Sequence, residues 1–268
     1  MNLAICSLAS GSSGNCYVVR GGDTFVLVDA GISGKQIRER LSAIGLEPSR
    51  LSAILLTHSH SDHTKGLAAV LKTTDACIFT NEATAADACG DLPGGRVRLF
   101  ETGDGFELGE LQVQTFPVSH DTADPVGFTF RREGKQVSIV TDTGIVTPRI
   151  YEQIRDADIL VLESNHDESI LRMGRYPWFL KQRILGEEGH LSNEAAAKAL
   201  ALALEEERDT EWAERPRTVL LAHLSQENNF PEMALTTVNN ILEERGLLRS
   251  GLKIRVLPRT QQSPVYTI

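Results

Sequence analysis

Three of the chain's seven histidines fall within six residues, in Thr57-His58-Ser59-His60-Ser61-Asp62-His63, together with one aspartate. Imidazole and carboxylate are nitrogen and oxygen donors, a set that suits zinc, manganese or iron without choosing among them. His58 and His60 stand two apart, so they share a side if extended backbone continues for one more step. Asp62 and His63 follow after a turn and can point toward a second ion. This spacing differs from a helical H-E-x-x-H, where histidines four apart share one ion.

Metal chemistry needs further donors, and the elements that must supply them are legible as apolar runs. Asn15–Arg20, Phe25–Val28, Leu51–Leu56, Leu111–Val118, Val137–Val140, Ile159–Leu162 and Val219–Ala222 read as strands. The run ending at Leu56 leads into the histidine loop; three others lead into His120, Asp142 and His223, and two more lead into Asp29 and Glu163. A sheet that gathers such ends on one edge converges their side chains on a cleft. Asp29 and Glu163 read as hydrogen-bonding partners of the ligand loops rather than as ligands.

Helical spacing occurs over Gly34–Ile44, Thr64–Leu71, Ala83–Cys89, Pro148–Arg155, Asn193–Glu206 and Glu232–Glu244, with Ser192 a suitable N-cap for the alanine- and leucine-rich fifth. Strands mixed with helices, and no Pro/Ser/Gly-rich linker, predict an α/β (α+β) fold in one domain over residues 1–268. Glu207–Arg217, a charged stretch, reads as a surface excursion.

Composition narrows the class. Hydrophobic residues make up 41% and charged residues 24%, as in ordinary globular proteins. The N-terminal Met1-Asn2-Leu3-Ala4-Ile5-Cys6 lacks a basic leader, and no apolar run approaches a membrane span, so a soluble cytoplasmic protein is expected, without an organic cofactor. Cys6, Cys16, Cys77 and Cys89 form no C-x-x-C pair and read as small buried apolar residues. A net charge of −9 argues against a uniformly basic nucleic-acid surface, so any polyanion site must be a focused one.

Three further features could contact substrate. His166 and His190 stand in polar motifs, and either could touch a scissile phosphate or protonate a leaving oxygen; structural or capping roles are the alternatives. Gly11-Ser12-Ser13-Gly14-Asn15 resembles a phosphate-cradling turn, although a tight hairpin joining Leu3–Leu8 to Cys16–Arg20 is the favoured reading. Arg172-Met173-Gly174-Arg175-Tyr176-Pro177-Trp178-Phe179-Leu180-Lys181-Gln182-Arg183 interleaves four cations with three aromatics. Cations can hold phosphates and rings can stack on unpaired bases; a helix with a basic outer and an aromatic inner face would look the same.

The H-x-H-x-D-H loop resembles the signature of the metallo-β-lactamase fold superfamily. Leu8–Asn15, Val118–Asp121, Thr141–Gly144, Glu163-Ser164-Asn165-His166-Asp167, Gly189-His190-Leu191-Ser192-Asn193 and Leu221–Ser225 extend the likeness over nearly the whole chain, and within the superfamily it is similar to the YycJ (WalJ) family of nucleases. That resemblance implies a four-layer αββα sandwich and two divalent ions, one held by His58, His60 and His120, a second by Asp62, His63 and His223, with Asp142 between them. It implies hydrolysis of a phosphodiester, most readily in DNA rather than RNA, by a hydroxide shared between the ions. Asp62, His190 and His166 are the candidate catalytic groups. Ser12, Asn15, Asn165, Ser192, Asn193, Arg172, Arg175, Tyr176 and Lys181 are the candidate substrate contacts. There is no room for the insert of the β-CASP nucleases and no long arm of the RNase Z kind. A hydrolase of thioesters, lactones or cyclic phosphodiesters with the same ions is the competing expectation. Oligomeric state is left open.

Overall fold

The computed structural model describes residues 3–90, 94–208 and 210–268; Met1 and Asn2 of the N-terminal reading and residue 209 of the charged excursion lie outside them. The chain divides into two compact units. The first comprises Met1–Pro117, Thr122–Lys135 and Pro258–Ile268; the second comprises Val118–Asp121 and Gln136–Leu257.

In the first unit, β1 (Leu3–Ala9), β2 (Cys16–Gly21) and β3 (Thr24–Val28) run antiparallel, and β4 (Ala53–Leu55), β5 (Cys77–Thr80) and β6 (Val97–Leu99) continue parallel to β3. The last strand, β14 (Tyr266–Thr267), closes the order β14-β1-β2-β3-β4-β5-β6. Parallel pairing needs crossovers. The β3–β4 crossover holds α1 (Gly34–Ala43), opened by a capping box in which Ser33 and Gln36 satisfy each other's backbone amides. Ile37 and Leu41 of α1 lie in one buried cluster with Leu27, Ile54 and Ile78 of the sheet. Short helices α2 (Ser61–Thr64) and α3 (Leu67–Val70) follow β4, and α4 (Glu82–Ala88) follows β5. Three antiparallel strands, β7 (Gly105–Leu108), β8 (Leu111–Pro117) and β9 (Val126–Arg132), complete this unit.

In the second unit, β10 (Lys135–Val140), β11 (Ile159–Glu163), β12 (Arg217–Ala222) and β13 (Leu252–Val256) are all parallel. The helices between them are α5 (Pro148–Asp156), α6 (Glu168–Met173), α7 (Trp178–Leu185), α8 (Asn193–Glu207) and α9 (Pro231–Glu244). Register puts Val140 beside Leu162, and Glu163 beside Ala222. The carboxyl ends of β10, β11 and β12 therefore share one level.

Several expectations change. The helix expected over Thr64–Leu71 is two short helices. Gly66 gives its amide to the Ala30 carbonyl at 2.8 Å, and a Cβ there would lie 2.0 Å from the Ile32 oxygen, so the backbone is committed to that loop instead of a continuous ladder. The 172–183 segment is also broken, with Gly174–Pro177 between α6 and α7. Glu207–Arg217 is no simple surface excursion: Glu207 and Arg217 are buried, and Glu207 pairs with Arg215, Arg217 and Arg249. Three of the cysteines are buried and Cys77 is half-buried; all four are free thiols. Strands β5, β6, β7 and β9 carried no clear sequence signal. β9, for example, is buried on both faces over Val126–Phe130, so it shows no alternation. No helix among the described residues is long and apolar enough to cross a membrane.

Candidate metal-binding residues

In the first unit the parallel register of β3 and β4 decides the geometry. Val28 pairs with Leu55, so Asp29 arrives beside Thr57, the first residue of the histidine loop. Asp29 is buried with φ of 59°, a left-handed conformation that a non-glycine residue adopts only where its surroundings enforce it. Its carboxylate accepts from the Thr57 amide (2.9 Å) and hydroxyl (2.9 Å to Oδ2) and lies 2.7 Å from His63 Nδ1. The loop's backbone is pinned as well: the Asn15 amide donates to Asp62 O at 2.8 Å and the Ala30 amide to His63 O at 2.7 Å. Gly31 is obligatory here, since a Cβ would lie 1.6 Å from the Asp62 oxygen. His58 Nδ1 meets Thr57 Oγ1 at 2.9 Å, and the His58 ring lies 4.8 Å from that of His60 and 4.0 Å from that of His63. Burial pushes the Asp29 carboxyl above its ordinary range, against the lowering effect of His63 and Thr57.

In the second unit the hub is Glu163, at the end of β11 and fully buried. Its carboxylate accepts from the amides of Thr143 (3.0 Å) and Leu191 (3.3 Å), and its Oε1 lies 2.7 Å from His190 Nδ1 and 3.0 Å from His223 Nδ1. Burial would raise this carboxyl, but His190 and His223 outweigh it and hold it at about 2. Asp142 Oδ1 is 3.0 Å from His223 Nδ1. Donor atoms of Asp142, Glu163, His190 and His223 all lie within 4.8 Å of one another. His223 resists burial, which favours neutrality; the carboxylates of Asp142 and Glu163 prevail and raise it well above the usual imidazole range. Asp142 and His223 have φ of 58° and 55°, so each stands at a strand end in the same left-handed conformation as Asp29. His120 Nδ1 meets the Gly189 carbonyl at 3.2 Å, and burial lowers this imidazole.

Divalent metal fits these side chains by how the imidazoles are held. In His58, His63, His120 and His223 the Nδ1 is engaged by an oxygen of the protein, respectively Thr57, Asp29, Gly189 and Glu163. A metal-binding histidine is normally oriented in this way through the nitrogen that does not bind the ion. In each of these four, Nε2 is the nitrogen a metal would use.

The remaining sequence candidates divide by what they touch. Asn15 Nδ2 lies 2.9 Å from His63 Nε2 and 3.4 Å from Asp62 Oδ2, whereas Ser12 is exposed on the hairpin between β1 and β2. Asn165 Nδ2 donates to the His223 carbonyl at 2.9 Å. Asn193 meets Ser164 and Asn229, and Ser192 caps α8 by accepting from the Ala195 amide. His166 is buried, and neither ring nitrogen has a hydrogen-bond partner among the described residues. Burial pulls it down to about 4, so it is neutral at pH 7. Arg172 pairs with Glu168 at the surface, Arg175 is exposed and Tyr176 is half-buried. Lys181 turns inward, its Nζ donating to the Arg172 and Gly174 carbonyls at 2.7 Å each. The sequence reading did not single out Thr57 or Asn229; Thr57 alone had a signal, its place at a strand end before the histidines.

Residues 24–208 match the model of the β-lactamase superfamily domain. The chain is 40% identical over 249 residues to an exodeoxyribonuclease YycJ of Bacillus anthracis, covering 92% of this chain and 91% of that protein. The chain belongs to the metallo-β-lactamase superfamily. Its place within the YycJ/WalJ family is supported by a second relative, an exodeoxyribonuclease WalJ of Streptococcus pneumoniae serotype 2, 38% identical over 245 residues and covering 90% and 88% of the two chains. The metallo-β-lactamase fold, two mixed sheets flanked by helices, is matched by the Bacillus subtilis fold protein YhfI, with a TM-score of 0.71, 14% identity and 100% of each chain covered.

Proposed function

We propose that this metallo-β-lactamase protein is a metal-dependent hydrolase that acts as a DNA exonuclease in the cytoplasm with two divalent ions, zinc or manganese being the first candidates. The class of metal-dependent hydrolase comes with the family, and DNA is the substrate in the names of the YycJ and WalJ exodeoxyribonucleases. The observation that carries the reading is that His58, His63, His120 and His223 are each held through Nδ1 by an oxygen of the protein, which leaves Nε2 as the nitrogen for an ion.

In this reading His58, His60 and His120 would hold one ion and Asp62, His63 and His223 the other, with Asp142 available to either. When bound, such ions acidify water and offset charge developing on a phosphodiester. The protein's own groups do the rest. Glu163 stays ionised through the neutral range and grips His190 through Nδ1, which orients the ring. His190, whose side chain is 20% exposed, is therefore the group that delivers a proton to the leaving oxygen. His166 is neutral and enclosed, so its part is in shaping the site and not in giving up a proton at pH 7. Asp62 is the secondary candidate for a base.

End-labelled single- and double-stranded DNA and RNA, incubated with metal-loaded protein and with a His58→Ala control, test the proposal. Release of nucleotides from DNA ends by the wild type alone is the expected result. Equal, intact substrates in both lanes would sink it. Activity that is insensitive to salt would point instead to a small-molecule substrate, because several phosphate contacts make a nuclease strongly salt-dependent.

A further inference from the structure

One surface feature is not explained by the chemistry of the donor clusters. Met173, Trp178 and Phe179 are 81%, 63% and 72% exposed, three large apolar side chains within seven residues. Scattered exposed hydrophobics are ordinary, but a local group of them marks a place where something else binds. The sequence alone allowed these rings to line an inner face. The exposures exclude that for Trp178 and Phe179.

The charge around them is as unusual as the exposure. From Ser169 to Gly186 the chain has no acidic residue and carries Arg172, Arg175, Lys181 and Arg183, in a protein of net charge −9. Lys181 is the internal brace: by donating to the Arg172 and Gly174 carbonyls it fastens α7 to the end of α6 and fixes the turn that presents the rings. The far end of α7 is joined to the site residues of the same unit. Arg183 forms an ion pair with Asp121, the neighbour of His120, and the His190 amide donates to the Ile184 carbonyl at 3.0 Å. From Trp178 to Ile184 is about 9 Å along a helix at 1.5 Å per residue. That is about two to three nucleotides of a strand spaced at ~3.4 Å.

We infer that the first turn of α7 and the end of α6 form a stacking platform for single-stranded DNA, with bases on Trp178 and Phe179 and phosphates near Arg172, Arg175 and Arg183. The inference rests on the nuclease reading and gives it a substrate form: an end whose last nucleotides are unpaired. Every base has a π-face, so such a platform is indifferent to sequence. A second copy of the chain suits the patch less well, because a two-fold contact would set Arg172, Arg175 and Arg183 against their own copies, and the nearby acids Glu168 and Asp121 are already paired with Arg172 and Arg183.

The test is a titration without added metal. The chain has two tryptophans, so a Trp212→Phe protein reports on Trp178 alone. Oligo(dT) of 12 nucleotides is expected to quench its emission saturably, and a blunt duplex of the same length to bind about tenfold more weakly. Read by the anisotropy of dye-labelled oligo(dT), which needs no tryptophan, Trp178→Ala with Phe179→Ala lowers single-strand affinity by about tenfold for each ring lost, leaving the salt dependence unchanged, while Trp178→Phe with Phe179→Tyr retains it. Arg175→Ala lowers the salt slope by about 0.7, one phosphate contact. The platform is overturned if oligo(dT) causes no quenching, if the double alanine variant binds as the wild type does, or if it loses blunt duplex equally. It is also overturned if that variant only breaks up a dimer with DNA affinity intact. The nuclease reading fails separately, when wild type and His58→Ala leave DNA equally uncut, and that result does not alter the binding curves.

Discussion

Asp29 and Glu163 are both fully enclosed carboxylates at the ends of parallel strands, yet their acidities move in opposite directions. Burial raises Asp29, which faces one histidine and a threonine. Glu163 is held at about 2, because it faces both His190 and His223. The difference is in the number of histidine partners set against burial. In the first unit the carboxylate organises one contiguous loop, whereas in the second it draws together residues from position 143 to position 223. The second cluster therefore depends more heavily on its single hub.

Removing each hub is the strongest way to break that contrast. Glu163→Ala leaves His190 and His223 without their shared counter-charge and the Thr143 and Leu191 amides without an acceptor. Loss of one partner from a buried pair costs about 3–5 kcal/mol, so the urea midpoint of metal-free protein should fall sharply. Asp29→Ala strands fewer groups and should cost about 1–3 kcal/mol. Equal losses would show that the number of charged partners is not what separates the two clusters.

The same contrast explains what could be read from the sequence. His58, His60, Asp62 and His63 are neighbours in the chain, so their spacing alone announced metal chemistry. His120, Asp142 and His223 were visible as residues following apolar runs, and for Asp142 and His223 the parallel strands β10 and β12 place such ends at one level. The pairing of Glu163 with His190 and His223 was not visible, because it depends on the register of β11 against β12 and on the return of the 189–193 loop to Glu163. Nor could the sequence say that Lys181 turns inward while Trp178 and Phe179 turn out. Cations and aromatics alternate there at a spacing that suits either face, and only the break before Pro177 decides it. The first sheet was legible where strands alternate or end in polar residues; β5 and β6 are short and lacked that pattern.

His166 gives the second unit an acid sensitivity. Its folded value of about 4 lies below the ordinary imidazole value of 6.5. Between those two values the unfolded chain binds a proton that the folded chain refuses, so stability falls as pH drops from 6.5 toward 4 and is unaffected above 6.5. The loss approaches about 3 kcal/mol at 1.36 kcal/mol per pH unit. Denaturant midpoints of metal-free protein measured across this range should flatten in His166→Gln, and an unchanged pH profile would count against the assignment.

Milder changes at the hubs should act through metal instead of through stability. Asp29→Asn keeps an acceptor for Thr57 but withdraws the charge that orients His63, so competition with a chelator should show about 10- to 100-fold weaker binding. Glu163→Gln touches two imidazoles and should lie at the upper end of that range. If Asp29→Asn loses more metal than Glu163→Gln, the loop, and not the dispersed cluster, controls occupancy.

The smallest effect is expected at the asparagines, where the two clusters again differ. Asn15 approaches the His63 ring itself, whereas Asn165 holds the His223 carbonyl, the backbone of a residue in left-handed conformation. A hydrogen bond of this kind contributes about 1 kcal/mol. Asn165→Ala should therefore lower the urea midpoint by that amount and loosen metal modestly, because His223 loses a restraint on its backbone but keeps Glu163 at its ring. Asn165→Asp cannot donate to the carbonyl and should be no better than alanine. If the aspartate variant restored wild-type stability, the bond to His223 would not be what Asn165 contributes.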